Sequence, residues 1–212
     1  MEKFDGILFD LDGTLWDATA QIAEAWNQVI AEAREALAPY GKGKPLTAAD
    51  SRALCGKTMD VIADELFGDY PEKAAIADRC YSHENDYLRV HPGVVYPGVG
   101  GALRALAEKV SLYVVSNCQA GYIEVFLETS GFSEYFSGHL SYGDTGLPKW
   151  DNIRLMCERE GLRNPLYIGD TQGDADAAAK AGVAFAHAQY GFGEVPGAEI
   201  VIPAPVELAS VL

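Results

Sequence analysis

The sequence predicts a doubly wound α/β fold: a Rossmann-like parallel sheet with helices on both faces and an α-helical cap domain inserted early in the chain. Three observations carry this expectation. Short apolar runs at "GILF" (6–9), "LYVV" (112–115), "LYIG" (166–169), "VAFA" (183–186) and "EIVI" (199–202) read as buried strands. Helix-like segments alternate with the later runs, the pattern of a parallel sheet covered on both faces. Roughly a hundred residues separate Phe9 from Leu112, where a parallel crossover needs only about a dozen.

Taken in order, "GILF" is a wholly apolar strand that ends at Asp10. In the insert that follows, Ile22, Trp26, Val29, Ile30, Ala33 and Leu37 fall on one helical face, and "PYGKGKP" (39–45) then breaks the chain. "TAAD" (47–50) reads as a capping box starting another helix, and Pro71 is placed to open a third that runs towards His91-Pro92-Gly93. The division expected is a helical cap over 17–91 set into a core made of 1–16 and 92–212. "LYVV" leads to Ser116. The segments "YIEVFLETSG" (122–131) and "DNIRLMCEREG" (151–161) are helices closed by Gly131 and Gly161. "LYIG" ends at Asp170, and "GDTQGD" (169–174) opens an Ala-rich helix, "ADAAAKAG". Trp16, Trp26 and Trp150 read as packing residues.

Composition narrows the function. The chain has 212 residues, 49% of them hydrophobic, and a formal net charge of −15 with no basic cluster. Such a surface repels nucleic-acid backbones and anionic lipid, so no nucleic-acid partner and no membrane is expected, and no obligate protein partner is implied. Cys55, Cys80, Cys118 and Cys157 form no C-x-x-C pair, which suits reduced thiols in a cytoplasmic setting. "MEKFDG" has no leader-like basic and apolar regions, and no apolar run approaches the ~18 residues of a membrane span.

Three strand-like runs end in a polar group: Asp10, Ser116 and Asp170. Ligands of open parallel sheets bind beyond the carboxyl ends of the strands, so these residues should meet in one crevice. Asp10 and Asp12 are two carboxylates held close, a pairing that requires a cation between them or a shared proton. Both solutions suit phosphoryl transfer. Asp10 can coordinate Mg²⁺ and attack phosphorus, and Asp12 can protonate the leaving oxygen and later take a proton from water. Gly13 permits close backbone approach, and Thr14 adds a donor. Asp170 is the better direct ligand for Mg²⁺. Asp174 binds through water or orients a neighbour, and Asp176 serves the helix dipole. Lys149 in "GLPKWD" is the fixed cation that phosphate oxygens and several aspartates need.

These residues make the chain similar to the haloacid dehalogenase superfamily of phosphohydrolases, over essentially its whole length, with phosphoglycolate phosphatase-like enzymes the nearest type. "DLDGT" resembles the first motif, with Asp10 as nucleophile and Asp12 as acid and base. Ser116 in "VVSN" matches the second, which binds the phosphoryl group, with Asn117 after it; Lys149 matches the third and "GDTQGD" the fourth. The resemblance implies a small phosphomonoester substrate and Mg²⁺ held by the Asp10 side chain, the Asp12 backbone carbonyl and Asp170. It also implies a helical cap closing over the site, with Gly56, Lys57 and Thr58 of "CGKT" facing substrate. Trp150 stands where many relatives have proline.

The superfamily resemblance leaves the reaction open. Dehalogenases and phosphonatases of this type lack the second aspartate, so Asp12 argues against both. A β-phosphoglucomutase-like sugar phosphate mutase shares both aspartates and the cap and is the alternative. Such mutases usually have another residue where Thr14 stands. A receiver-type signalling domain uses the same groups but is shorter and lacks the insert.

Overall fold

The computed structural model describes residues 4–212; the first three residues of the stretch read for a leader lie outside the described residues. Strand β1 (Gly6–Phe9) is buried along its length and runs into Asp10. A two-residue strand, β2 (Trp16–Asp17), follows, and then five helices: α1 (Thr19–Glu32), α2 (Arg34–Leu37), α3 (Ala48–Leu54), α4 (Met59–Phe67) and α5 (Lys73–Val90). The chain returns through β3 (Val94–Val95), which pairs antiparallel with β2. The remainder alternates: α6 (Val99–Ala107), β4 (Ser111–Ser116), α7 (Tyr122–Ser130), β5 (Phe136–Ser141), a short α8 (Tyr142–Thr145), α9 (Lys149–Glu160), β6 (Pro165–Gly169), α10 (Gln172–Ala181), β7 (Ala184–Ala188) and β8 (Ile200–Ile202).

Six strands form one sheet in the order β5-β4-β1-β6-β7-β8, all parallel. The α/β Rossmann-like architecture is therefore as expected. The side-chain period of two sends alternate residues to opposite faces. Ile7 and Phe9 of β1 join Leu112, Val114, Leu166 and Ile168 beneath α6 and α7. Leu8 joins Tyr113, Val115 and Tyr167 beneath α9 and α10. Burying both faces is why these strands read as continuous apolar runs.

A third apolar cluster lies within the insert, where Trp26, Ile30, Leu37, Phe67, Ile76 and Tyr81 pack together. The Trp26 ring stacks on Phe67 at 6.5 Å and meets Tyr81 edge-on at 5.1 Å. Thr47 and Asp50 make the reciprocal bonds of a capping box, as "TAAD" implied.

Several elements differ from expectation. The first helical face is broken at Ala33, which has φ −93° and ψ 3°, so Leu37 lies on α2 while packing in the same cluster. Pro71 precedes α5 by two residues rather than opening it, and α4 intervenes before it. Strand β5 escapes a search for apolar runs because "FSGHLS" sits at the sheet edge, with its first four residues half-buried or exposed. "VAFA" is shifted by one residue relative to β7, and "EIVI" starts one residue before β8. Among the described residues no helix is long and apolar enough to cross a membrane, and all four cysteines are free thiols.

Candidate active site

The carboxyl ends of β1, β4 and β6 point to one side of the sheet, which brings Asp10, Ser116 and Asp170 together although the sequence separates them. Lys149, the first residue of α9, reaches the same place. Its Nζ donates to Asp10 Oδ1 at 2.8 Å and to Asp174 Oδ1 at 2.6 Å, with all three side chains buried. Asp174 is held by its own helix terminus. Thr171 caps α10, and Asp174 Oδ2 accepts from the Thr171 hydroxyl at 2.6 Å and from the Thr171 and Asp170 backbone N–H groups at 3.0 and 3.2 Å. Both carboxylate oxygens of Asp174 are engaged by donors, so it orients Lys149.

Asp170 is arranged differently. Its Oδ2 accepts from the Phe192 backbone N–H at 2.6 Å, and its buried Oδ1 has no partner. Carboxylate oxygens of Asp10, Asp170 and Asp174 lie within 4.8 Å of one another. Two glycines make room for this cluster. A Cβ on Gly13, whose φ is +84°, would fall 2.2 Å from Asp170 Oδ2, and one on Gly191 would fall 2.3 Å from Asp170 Cβ.

The electrostatics follow from burial and neighbours. Burial pushes the Asp10 carboxyl up to about 6, with Asp174 adding to the rise and Lys149 opposing it. Burial and the charges of Asp10 and Asp174 push Asp170 up to about 8. Burial also works against the charged form of Asp174, but the Lys149 ammonium and the Thr171 donors outweigh it and hold this carboxyl below its usual range. Two high carboxyl groups beside an unpartnered buried oxygen mark a place where negative charge lacks a counter-ion. All its donors are hard oxygens, the set that suits Mg²⁺.

Asp12 faces away from this cluster. Its Oδ1 accepts a hydrogen bond of 2.7 Å from the Tyr122 hydroxyl, at the start of α7. Burial raises its carboxyl well above the ordinary value, with the Tyr122 bond opposing and the Asp10 charge adding. Asp12 also lines a cleft between the insert and the core, together with Ser116, Asn117 and Tyr122 on one wall and residues of α1, α3, α4 and α5 on the other. Gly56 and Lys57 reach this cleft and Thr58 does not line it; Thr58 precedes α4. The Asn117 amide donates to the Gly56 carbonyl at 2.8 Å, tying the second candidate motif to the insert. The Thr14 hydroxyl is buried without a partner, while its carbonyl accepts from Tyr190. Trp16 is buried against Tyr122 and Phe126. Trp150 lies under the Lys180 ammonium, 4.3 Å from its ring centroid.

Tyr122, Glu84 and the Phe192 N–H are not among the sequence candidates. Glu84 carried a signal: it follows Ala77, Cys80 and Tyr81 and precedes Leu88 on the buried face of α5.

The family model for haloacid dehalogenase-like hydrolases matches residues 7–188, most of the chain and every residue just described except Gly191 and Phe192 with the Tyr190 contact. The chain belongs to the haloacid dehalogenase-like hydrolase family. It is an enzyme of the phosphatase class within it. A phosphoglycolate phosphatase from Cereibacter sphaeroides is 30% identical over 207 residues, covering 92% of this chain and 89% of that protein. Among solved structures, a haloacid dehalogenase-like family hydrolase from Streptococcus pneumoniae superposes with a TM-score of 0.81 at 21% identity, covering 99% of both chains. A predicted phosphoglycolate phosphatase from Haemophilus somnus superposes with a TM-score of 0.79 at 24% identity, covering 100% and 99%. At these identities the structural matches speak for the fold, and this haloacid dehalogenase-like chain shares it from end to end.

Proposed function

We propose that this haloacid dehalogenase-like chain is a Mg²⁺-dependent phosphatase that hydrolyses a small phosphomonoester through an aspartyl-phosphate intermediate, in the manner of phosphoglycolate phosphatase-like enzymes. The observation that supports it most is the division of labour among four aspartates: Asp10 held by Lys149, Asp174 holding Lys149, Asp170 with a bare buried oxygen, and Asp12 set apart on Tyr122.

On this reading the Asp10 carboxylate attacks phosphorus and forms a P–O bond as the bond to the leaving alkoxide breaks. Asp12 donates its proton to that leaving oxygen. It then takes a proton from water, which attacks the acyl phosphate, releases phosphate and restores Asp10. Lys149 balances charge on the phosphoryl oxygens, with Ser116 and Asn117 as phosphoryl donors. The Asp10 and Asp170 side chains and the Asp12 backbone carbonyl would hold Mg²⁺. When bound, it supplies positive charge against the phosphoryl oxygens. Residues 17–91 would form the cap, reading the leaving group and excluding water when closed. The free thiols agree with a cytoplasmic setting.

The test is phosphate release from a panel of phosphomonoesters with Mg²⁺ and with excess chelator. Release that depends on the metal supports the reading. Full release in chelator contradicts it, and so does conversion of a sugar phosphate to its isomer without release, the outcome expected of a mutase.

A further inference from the structure

The cleft beside Asp12 is where the leaving group of any such substrate must sit, and its lining has a definite chemistry. Its insert wall is largely apolar, built from Ile22, Trp26, Leu46, Leu54, Met59 and Ile62. A carboxylate stands at its back: Glu84 of α5 is 4% exposed. Glu84 Oε1 accepts from the Gln119 amide at 2.9 Å and Oε2 accepts from the Trp26 indole N–H. Each oxygen therefore has one donor and a lone pair to spare.

Among the described residues Lys57 is the one cation lining the cleft, and it is ion-paired. Both Glu65 oxygens hold its Nζ, at 2.7 and 2.9 Å. Arg52, on the neighbouring α3, is likewise spent on Asp17 at 3.1 Å. Beside the protonated Asp12, the cleft thus presents the Glu84 carboxylate and, among the described residues, no unpaired positive charge. Two further polar atoms in its wall are buried without a partner, Asn117 Oδ1 and Ser51 Oγ. One accepts only, and the other can donate or accept.

A leaving group that brings a carboxylate or a second phosphate into this cleft loses its hydration and meets the like charge of Glu84 with no unpaired cation to compensate. One that brings methylene groups and a hydroxyl covers the apolar wall. Its hydroxyl can donate to Glu84 or Asn117 and accept from Ser51. We propose, on the phosphomonoesterase reading above, that this site selects phosphomonoesters of uncharged alcohols with a hydrocarbon body and a hydroxyl donor, and discriminates against leaving groups that carry an anion. Glu84 is the residue that imposes the discrimination. The substrate in the names of its curated relatives is then disfavoured here, because a glycolate leaving group is anionic.

A matched pair of substrates tests this. 2-Hydroxyethyl phosphate differs from phosphoglycolate only in carrying CH₂OH where the latter carries a carboxylate. In mildly alkaline buffer with Mg²⁺, wild-type kcat/KM is expected to favour 2-hydroxyethyl phosphate by at least about tenfold, and Glu84→Gln is expected to narrow that ratio by about as much. Equal or better turnover of phosphoglycolate by the wild type overturns the proposal and leaves the phosphatase reading standing, whatever the variant does. A ratio unmoved in a folded Glu84→Gln enzyme removes Glu84 as its origin and so also overturns the proposal as stated. No turnover of either compound or of acetyl phosphate overturns the phosphatase reading itself.

Discussion

Asp12 and Asp174 carry the same side chain yet serve opposite ends, because their donors differ. Asp174 has both oxygens engaged, Oδ1 by Lys149 and Oδ2 by Thr171 and the Asp170 N–H, so it is a fixed anion. Asp12 has the Tyr122 hydroxyl as its side-chain partner and sits in a site that favours the protonated form, as an acid and base must. Replacing Tyr122 by Phe is expected to lower kcat by about tenfold, or about 1.4 kcal/mol of barrier, with KM little changed, since the phenol orients Asp12 rather than the substrate. Steady-state kinetics check this, and an unchanged kcat would remove Tyr122 from the account. Lys149→Ala leaves Asp10 and Asp174 facing each other across an empty place. It is expected to abolish turnover of every substrate, acetyl phosphate included, and to destabilise the fold by about 3–5 kcal/mol in urea unfolding, the usual cost of orphaning buried charges. Asp10, Asp12 and Asp170 stand out as candidates in the sequence by a local signal, a strand end or a glycine-flanked acid, and Lys149 only by the charge balance they need. Tyr122 does not stand out, because the bond that gives it meaning spans 110 positions of sequence.

At the scale of elements, α5 joins the insert to the core through polar contacts. Glu84 meets Gln119, and Asn85 donates to the Ala120 carbonyl at 2.9 Å. Burial pushes the Glu84 carboxyl up to about 7, against the opposing bonds from Gln119 and Trp26. The titratable groups that feel its charge, Asp12 and Tyr122 of the core and Cys55, Cys80 and Tyr81 of the insert, include no cation. A carboxyl that holds its proton more tightly folded than unfolded stabilises the fold below its unfolded pKa, here 4.5, and that contribution is lost as pH rises through about 7. The native state binds the extra proton in that window, so stability falls with rising pH, by about 3 kcal/mol in all. Glu84→Gln is expected to flatten this part of the pH–stability curve, as read from urea midpoints at several pH values; identical slopes in both proteins would contradict the assignment. The strands legible as apolar runs were β1, β4, β6, β7 and β8, and the legible helices were those with an apolar face or an end signal, α1, α3, α7, α9 and α10. Strand β5 was hidden by its edge position, and α6 by the two glycines at its start, which dilute the helical signal of "VGGALRALA".

For the molecule as a whole, the parallel sheet turns sequence distance into proximity. The strand order sets β1 between β4 and β6, so groups from residues 10, 116 and 170 share one edge, while the insert leaves and returns through the β2–β3 pair beside them. A chain with net charge −15 has little long-range attraction for an anionic substrate, so affinity must come from local charge at the bottom of the site. The location of that site was legible as a crossing of strand ends. The character of the cleft above it was not, because it is assembled from α1, α3, α4, α5 and the core loops only in three dimensions. The central claim is that Asp10 becomes covalently phosphorylated during turnover. Rapid acid quench of the enzyme during steady-state turnover of acetyl phosphate with Mg²⁺, followed by borohydride reduction and peptide mass spectrometry, tests it most directly. The account predicts a reduced acyl phosphate at Asp10 in the wild type and neither label nor turnover in Asp10→Asn; substantial turnover by Asp10→Asn, or label on another residue, would contradict it.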